Sequence, residues 1–132
     1  MIIVDTNVLI DVLADDPDWA DWSENKLMGL IESDELAINP IIYAELAAAY
    51  RSEGALEKAL RHWPLHRVEL PYSAGYLAGQ AFRSYRQRGG QKRSPLPDFY
   101  IGAHAQSAEL PLLTRDTKRY ATYFPKLKLI SP

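Results

Sequence analysis

Short β-branched runs alternating with helical stretches predict an α/β domain, three layers deep (α/β/α), around a central, mainly parallel sheet. Three observations carry this. The apolar runs at residues 2–5, 36–38 and 112–114 are too short for helices and each meets a polar residue at its end. The stretches between them are longer and carry helix start and stop signals. The length, 132 residues, suits one domain with a closed core, so residues 1–132 are read as a single unit.

Ile3 and Val4 suit a buried strand, which runs over residues 2–5. A short helix follows over residues 7–14, with Val8, Leu9, Val12 and Leu13 on one face. Asp15-Asp16-Pro17-Asp18 stops it, and Pro17 or Asp18 opens a second helix through Trp19, Trp22, Leu27, Leu30 and Ile31. Residues 36–38 form the next strand. Asn39-Pro40 then joins a capping side chain to a proline in the first turn, predicting a helix as far as Tyr50. Gly54 breaks that helix, and another reaches Trp63. A strand is expected over residues 66–70, and a long helix from Pro71 to Gln87, ended by Gly89-Gly90. Ser94-Pro95-Leu96-Pro97 leads to a helix opening at Asp98. Residues 112–114 and 127–130 complete the strands.

Composition narrows the function classes. The apolar share is 47% and the charged share 24%, as in ordinary globular proteins. No apolar run approaches the roughly 18 residues of a membrane span, and no basic region precedes the first apolar stretch, so cytoplasm is the expected compartment. The lack of cysteine removes disulfides, zinc–thiolate sites and thiol nucleophiles. The net charge of −2 hides an asymmetry: residues 1–36 are strongly acidic, whereas Arg83, Arg86, Arg88, Lys92 and Arg93 form a run with no acid between them. Such a run fits an anionic partner met on one face, or a solvated helix end.

Four acids occupy positions of one kind. Asp5 ends the first strand, Glu45 lies early in the helix after the second, Asp98 opens a helix after a proline-rich turn, and Asp116 directly follows the 112–114 strand. In open parallel sheets ligands bind at the carboxyl ends of the strands, so these four side chains can converge there. Singly, Asp98 and Asp116 read as helix caps and Glu45 as a solvated residue. Glu45, however, lies among Ile41, Ile42, Leu46 and Ala47, where an unpaired carboxylate is costly to bury. Clustered carboxylates repel, so a shared site needs a cation. Oxygen donors without His or Cys favour Mg2+ or Mn2+.

The opening Ile2-Ile3-Val4-Asp5-Thr6-Asn7, then Pro40 to Leu46 around Glu45, Pro97 to Ala105 around Asp98, and Leu112 to Asp116 follow one another at spacings that resemble a PIN domain. Within that group they resemble the VapC-type toxins of toxin–antitoxin pairs. Tyr120, Phe124 and Pro125 match the usual tail. The resemblance spans nearly the whole chain. It departs in the long approach from Gln91 to Leu96 and in the paired Trp19 and Trp22.

The resemblance implies a PIN-like fold and metal-dependent hydrolysis of RNA. Asp5, Asp98, Asp116 and Glu45 would be the catalytic and metal-holding acids, with Asn7 and Thr114 beside them to hold a metal-bound water or orient a carboxylate, or to serve only as a helix cap and a strand-end turn. Water rather than a 2′-hydroxyl would attack, leaving 5′-phosphate and 3′-hydroxyl ends. A VapB-like antitoxin and a homodimer are further expectations, with Trp19, Trp22, Leu27 and Leu30 as docking residues or simply core. For RNA, Arg83, Arg86, Arg88, Lys92 and Arg93 offer a backbone track and Tyr85 a ring to stack on. Arg115 stands to meet phosphate or to pair with an acid, and His104 reads as structural. Two rivals stand beside this reading. A non-catalytic PIN-like RNA-binding module would lack the chemistry. A phosphatase with Asp5 as nucleophile usually has an acid two residues on, where this chain has Asn7.

Overall fold

The computed structural model describes every residue from 1 to 132. Five parallel strands form one sheet in the order β3-β2-β1-β4-β5: β1 (Ile2–Val4), β2 (Leu36–Ile38), β3 (Leu65–Arg67), β4 (Leu112–Leu113) and β5 (Leu129–Ile130). All of β1 and β2 is buried, as a parallel strand covered on both faces must be. The helices are α1 (Thr6–Leu13), α2 (Ala20–Ile31), α3 (Pro40–Ala47), α4 (Glu53–Leu60), α5 (Tyr72–Gln87), α6 (Pro97–Ser107) and α7 (Thr117–Tyr123). The chain steps from β1 to β2 to β3, then crosses back over β1 to β4 and β5. With right-handed crossovers this places α1–α4 on one face and α5–α7 on the other. Within each set α1 meets α2 and α3, and α6 meets α5 and α7, while α3 and α6 also touch each other. The strand order reverses between β1 and β4, so the crevice outside their carboxyl ends is the switch point where such sheets bind ligands.

Several element ends differ from the sequence expectation, each for a local reason. Asp16 Oδ2 accepts the backbone N–H groups of Asp18 and Trp19, at 3.0 and 2.9 Å, and this capped turn at Pro17–Trp19 leads into α2. Helix α3 stops before Tyr50 because the Ala49 and Tyr50 N–H groups turn back to Leu46 and Ala47, three residues behind. Gly54 is not the breaker. Ser52 Oγ accepts the Ala55 N–H and caps α4, which contains Gly54. Pairing of β3 with β2 ends at Val68, since β2 gives way to the α3 cap at Asn39. Helix α7 was not anticipated.

Helix α5 closes in a Schellman turn: Gly89 has φ +93, its N–H reaches the Arg86 carbonyl, and the Gly90 N–H reaches that of Tyr85. On α6, Gly102 lets α7 approach, for a Cβ there would stand 2.6 Å from the Phe124 ring and 3.0 Å from that of Tyr120. That approach brings Tyr120 to the carboxyl edge of the sheet.

Candidate active site

Asp5 leaves β1 at the switch point and is buried there. Its Oδ1 accepts the N–H of Thr6, the very next residue, rather than the N2 or N3 N–H that a capping side chain usually takes. Its Oδ2 accepts the Thr114 hydroxyl at 2.8 Å, the Tyr120 hydroxyl at 2.9 Å and the Asn7 amide at 3.3 Å. Burial pushes its pKa up to about 6, against the pull of Thr114, Tyr120 and Thr6 and with a further push from the Asp98 charge.

Register places Thr114 opposite Asp5, one step past the Val4–Leu113 pair. With its proton on Asp5, the Thr114 hydroxyl accepts from Asn7 Nδ2 at 3.3 Å and from the Asp116 N–H at 3.0 Å. Asn7 Oδ1 in turn accepts the Arg115 N–H. Asn7 and Thr114 thus hydrogen-bond Asp5 and tie the 114–116 turn to α1.

The other acids face the same place. Glu45 Oε1 accepts the Thr6 hydroxyl at 2.6 Å. Asp98 lies inside the first turn of α6, whose cap position is Leu96, so it is not a helix cap. Asp116 precedes α7, and its side chain caps nothing. Asp98 is raised chiefly by burial; Arg119 lowers it, and the charges of Glu45 and Asp116 raise it again. Tyr120 is raised well above its ordinary range, first by burial and then by the Asp5 and Asp98 charges. The four carboxylates therefore share one field, as their strand-end positions predict. They are not preassembled as a metal cage, because no three His, Asp or Glu side chains lie close enough to hold one ion as they stand. Their chemistry fits a hard divalent cation: every donor is oxygen, and Asp5 and Asp98 are held above their usual range by burial and like charge.

Two site residues escaped sequence reasoning, Thr6 and Tyr120. Thr6 lies between Asp5 and Asn7, where nothing local points its hydroxyl at Glu45. Tyr120 stood only in the tail, and nothing in its local pattern points its hydroxyl at Asp5.

The basic residues divide. Arg115 is not free for phosphate. Its Nε and Nη2 fork onto buried Asp11 at 2.6 and 2.8 Å, Ser23 donates to the same carboxylate, and the guanidinium lies 4.8 Å over Trp19. It clamps α1, α2 and the turn after β4. Arg83, Arg86, Arg88, Lys92 and Arg93 are exposed around the end of α5. Arg86 donates to the Lys92 carbonyl, and Arg88 lies over Tyr123. Tyr85 is less available for stacking than expected, with its ring packed on Phe82, Phe99 and the Gly90 backbone. It forms one wall of a cleft of about 380 Å³ whose other walls include Asp116, Lys118, Arg119 and Tyr123. His104 is buried, with Nδ1 3.0 Å from Asn39 Nδ2. Because Asn39 Oδ1 already takes the Ile42 N–H, its amide must donate to the ring. His104 is thereby kept neutral, and burial lowers its pKa.

A parallel sheet with acids gathered at the β1/β4 switch point defines an α/β domain with an acidic, oxygen-only site. The chain belongs to the PIN domain family, which matches residues 2–125. Its fold is that of toxin–antitoxin proteins of known structure. VapBC2 from Rickettsia felis, bound to a DNA fragment from its promoter, aligns at TM-score 0.75 and 22% identity, over 99% of this chain and 98% of that one. A toxin–antitoxin complex from Klebsiella pneumoniae aligns at 0.69 and 25%, over 98% and 96%. VapC20 from Mycobacterium tuberculosis, a toxin that cleaves the sarcin–ricin loop, aligns at 0.61 and 14%, over 92% and 95%. No curated protein sequence matches the chain.

Proposed function

We propose that this chain is a metal-dependent endoribonuclease of the VapC type, the toxin of a toxin–antitoxin pair acting in the cytoplasm. One observation carries the proposal: Asp5, Glu45, Asp98 and Asp116 share one electrostatic pocket at the switch point, with Asp5 held by four donors. Membership of the PIN family and the likeness to VapBC structures support it. Asp5, Asp98, Asp116 and Glu45 would hold Mg2+ or Mn2+. Such an ion, when bound, supplies an acidified water and offsets charge growing on phosphate.

The chain's own groups prepare the site. Thr114, Tyr120, Asn7 and the Thr6 N–H favour the ionised form of Asp5 and fix its direction. The Thr6 hydroxyl aims Glu45. Arg83, Arg86, Arg88, Lys92 and Arg93 offer charge to the RNA backbone beside the Asp116 cleft. A VapB-like antitoxin and a second copy of the chain are the proposed partners. No helix here is long and apolar enough to cross a membrane.

Incubation of total RNA with the protein and Mg2+ or Mn2+ tests the reading. Cleavage that chelation abolishes, and that Asp5→Asn abolishes with the fold intact, supports the enzyme. RNA binding without cleavage would instead make the chain a non-catalytic binding module.

A further inference from the structure

Three arginines pair with carboxylates in this molecule, and one pair is unlike the others. Arg67 donates to both oxygens of Glu57 at 2.9 and 2.7 Å. Arg115 forks onto Asp11 at 2.6 and 2.8 Å. Arg119 comes no closer to Asp98 than 3.5 Å, from Nε to Oδ2, and makes no hydrogen bond to it. Its Nη1 is buried with no partner at all. A guanidinium presents N–H groups in a fork that matches the paired oxygens of a carboxylate or phosphate. In its present place Arg119 leaves that fork unused and bears the cost of a buried, unpaired donor.

The surroundings give the fork a destination. Arg119 lies immediately before Tyr120, whose hydroxyl rests on Asp5, and it lines the 380 Å³ cleft with Asp116, Lys118 and Tyr85. On its other side the guanidinium lies 5.9 Å from the Phe99 ring, which offers no acceptor oxygen. Asp98, the partner it would leave, also faces Glu45 and Asp116.

We propose that Arg119 is a catalytic residue that lets go of Asp98 when RNA enters and closes its fork on the nonbridging oxygens of the scissile phosphate. The exchange turns one loose ion pair and an orphaned donor into a two-pronged phosphate contact. It frees Asp98 to hold a cation at the same moment. Arg119 thus has two states: counter-ion to the acids in the free protein, and phosphate ligand in the complex. This role rests on the ribonuclease reading above.

The test uses the whole chain and the variants Arg119→Met and Arg119→Lys. Steady-state cleavage of an RNA oligonucleotide is measured beside Mn2+ binding by calorimetry without RNA. Arg119→Met is expected to lower kcat by about 100-fold, the usual loss on removing one transition-state donor, with KM changed far less. Arg119→Lys, which keeps the charge but not the fork, is expected to recover only part of kcat. Mn2+ alone should bind Arg119→Met several-fold more tightly, because a competitor for Asp98 has gone. A merely structural role would not tighten Mn2+ binding. If the wild-type protein cuts RNA and Arg119→Met cuts it equally fast, the phosphate role of Arg119 is overturned and the ribonuclease reading stands. Unchanged or weaker Mn2+ binding in Arg119→Met overturns the exchange. If the wild-type protein cuts no RNA, the ribonuclease reading fails and this role fails with it.

Discussion

The Tyr120 hydroxyl donates to Asp5 Oδ2 at 2.9 Å, joining the end of the first strand to a helix near the end of the chain. It converts a buried phenol into a prop for a buried carboxylate. Removing it in Tyr120→Phe takes away a donor that favours the charged form of Asp5. A hydrogen bond to a charged group is worth about 1.5–3 kcal/mol. The acid limb of the pH–rate profile is therefore expected to move up by about one unit, with activity falling roughly tenfold on the acid limb below about pH 5 and only about twofold near pH 7. An unmoved acid limb would mean that Tyr120 only fills space.

Asp5 also sets a pH dependence of stability in the metal-free protein. Its folded pKa is about 6 against an ordinary 3.8, so the folded state holds the proton more tightly than the unfolded chain does. Below about pH 4 both states are protonated and the group contributes no difference; from there to about pH 6 the folded state loses ground, and above that the full penalty applies. The shift corresponds to about 3 kcal/mol at most. His104 acts in the opposite sense, since its lowered pKa penalises the folded state as pH falls below the ordinary histidine range. The quantity to measure is therefore the stability of wild type relative to Asp5→Asn by urea unfolding. Asp5→Asn should gain on wild type as pH rises from about 4 to about 7. A difference independent of pH would show that Asp5 titrates normally in the fold.

Asp11 and Arg115 predict a stability effect away from the acids. Asp11 is buried and Arg115 about a quarter exposed. Breaking a buried pair from one side leaves an uncompensated charge, and partial exposure of Arg115 softens the cost to about 2–3 kcal/mol for Asp11→Ala. The double variant Asp11→Ala/Arg115→Met should recover part of that loss in thermal melts. Additive losses would mean that the two side chains do not act as a pair.

The strand-end acids were legible in the sequence because their positions follow from β/α alternation. Once β1 and β4 are parallel neighbours, Asp5 and Thr114 fall side by side. Asn39-Pro40 was legible for a similar reason, its capping chemistry being local. Tyr120 and Arg119 were not, since α7 spans only Thr117–Tyr123 and has no repeating apolar stripe. Where they point is decided by Gly102 and by the packing of α7 on α6. The sequence likewise shows Arg115 and Arg119 flanking the same segment, but only the fold shows that one is locked on Asp11 and the other sits loosely by Asp98. Thr6 was hidden by its neighbours, because its role depends on where α3 places Glu45.

Glu109 offers a gain rather than a loss. It takes φ +56 just past the end of α6, and the Leu110 N–H closes the Schellman turn on the Ala105 carbonyl. That left-handed position favours glycine, and Glu109 is exposed with no hydrogen bond from its side chain to lose. Glu109→Gly is expected to stabilise the protein by about 0.5–1 kcal/mol in denaturant unfolding. Destabilisation would show that the turn is not under strain.

In the proposed reaction these acids hydrolyse RNA with water as the attacking group, and mapping the ends left on a defined RNA after cleavage in Mg2+ or Mn2+ distinguishes water from a 2′-hydroxyl. Attack by water leaves 5′-phosphate and 3′-hydroxyl ends, and none are expected from Asp5→Asn. Ends carrying 2′,3′-cyclic phosphate would contradict it, because the 2′-hydroxyl would then be the nucleophile and the carboxylate cluster would have no such role.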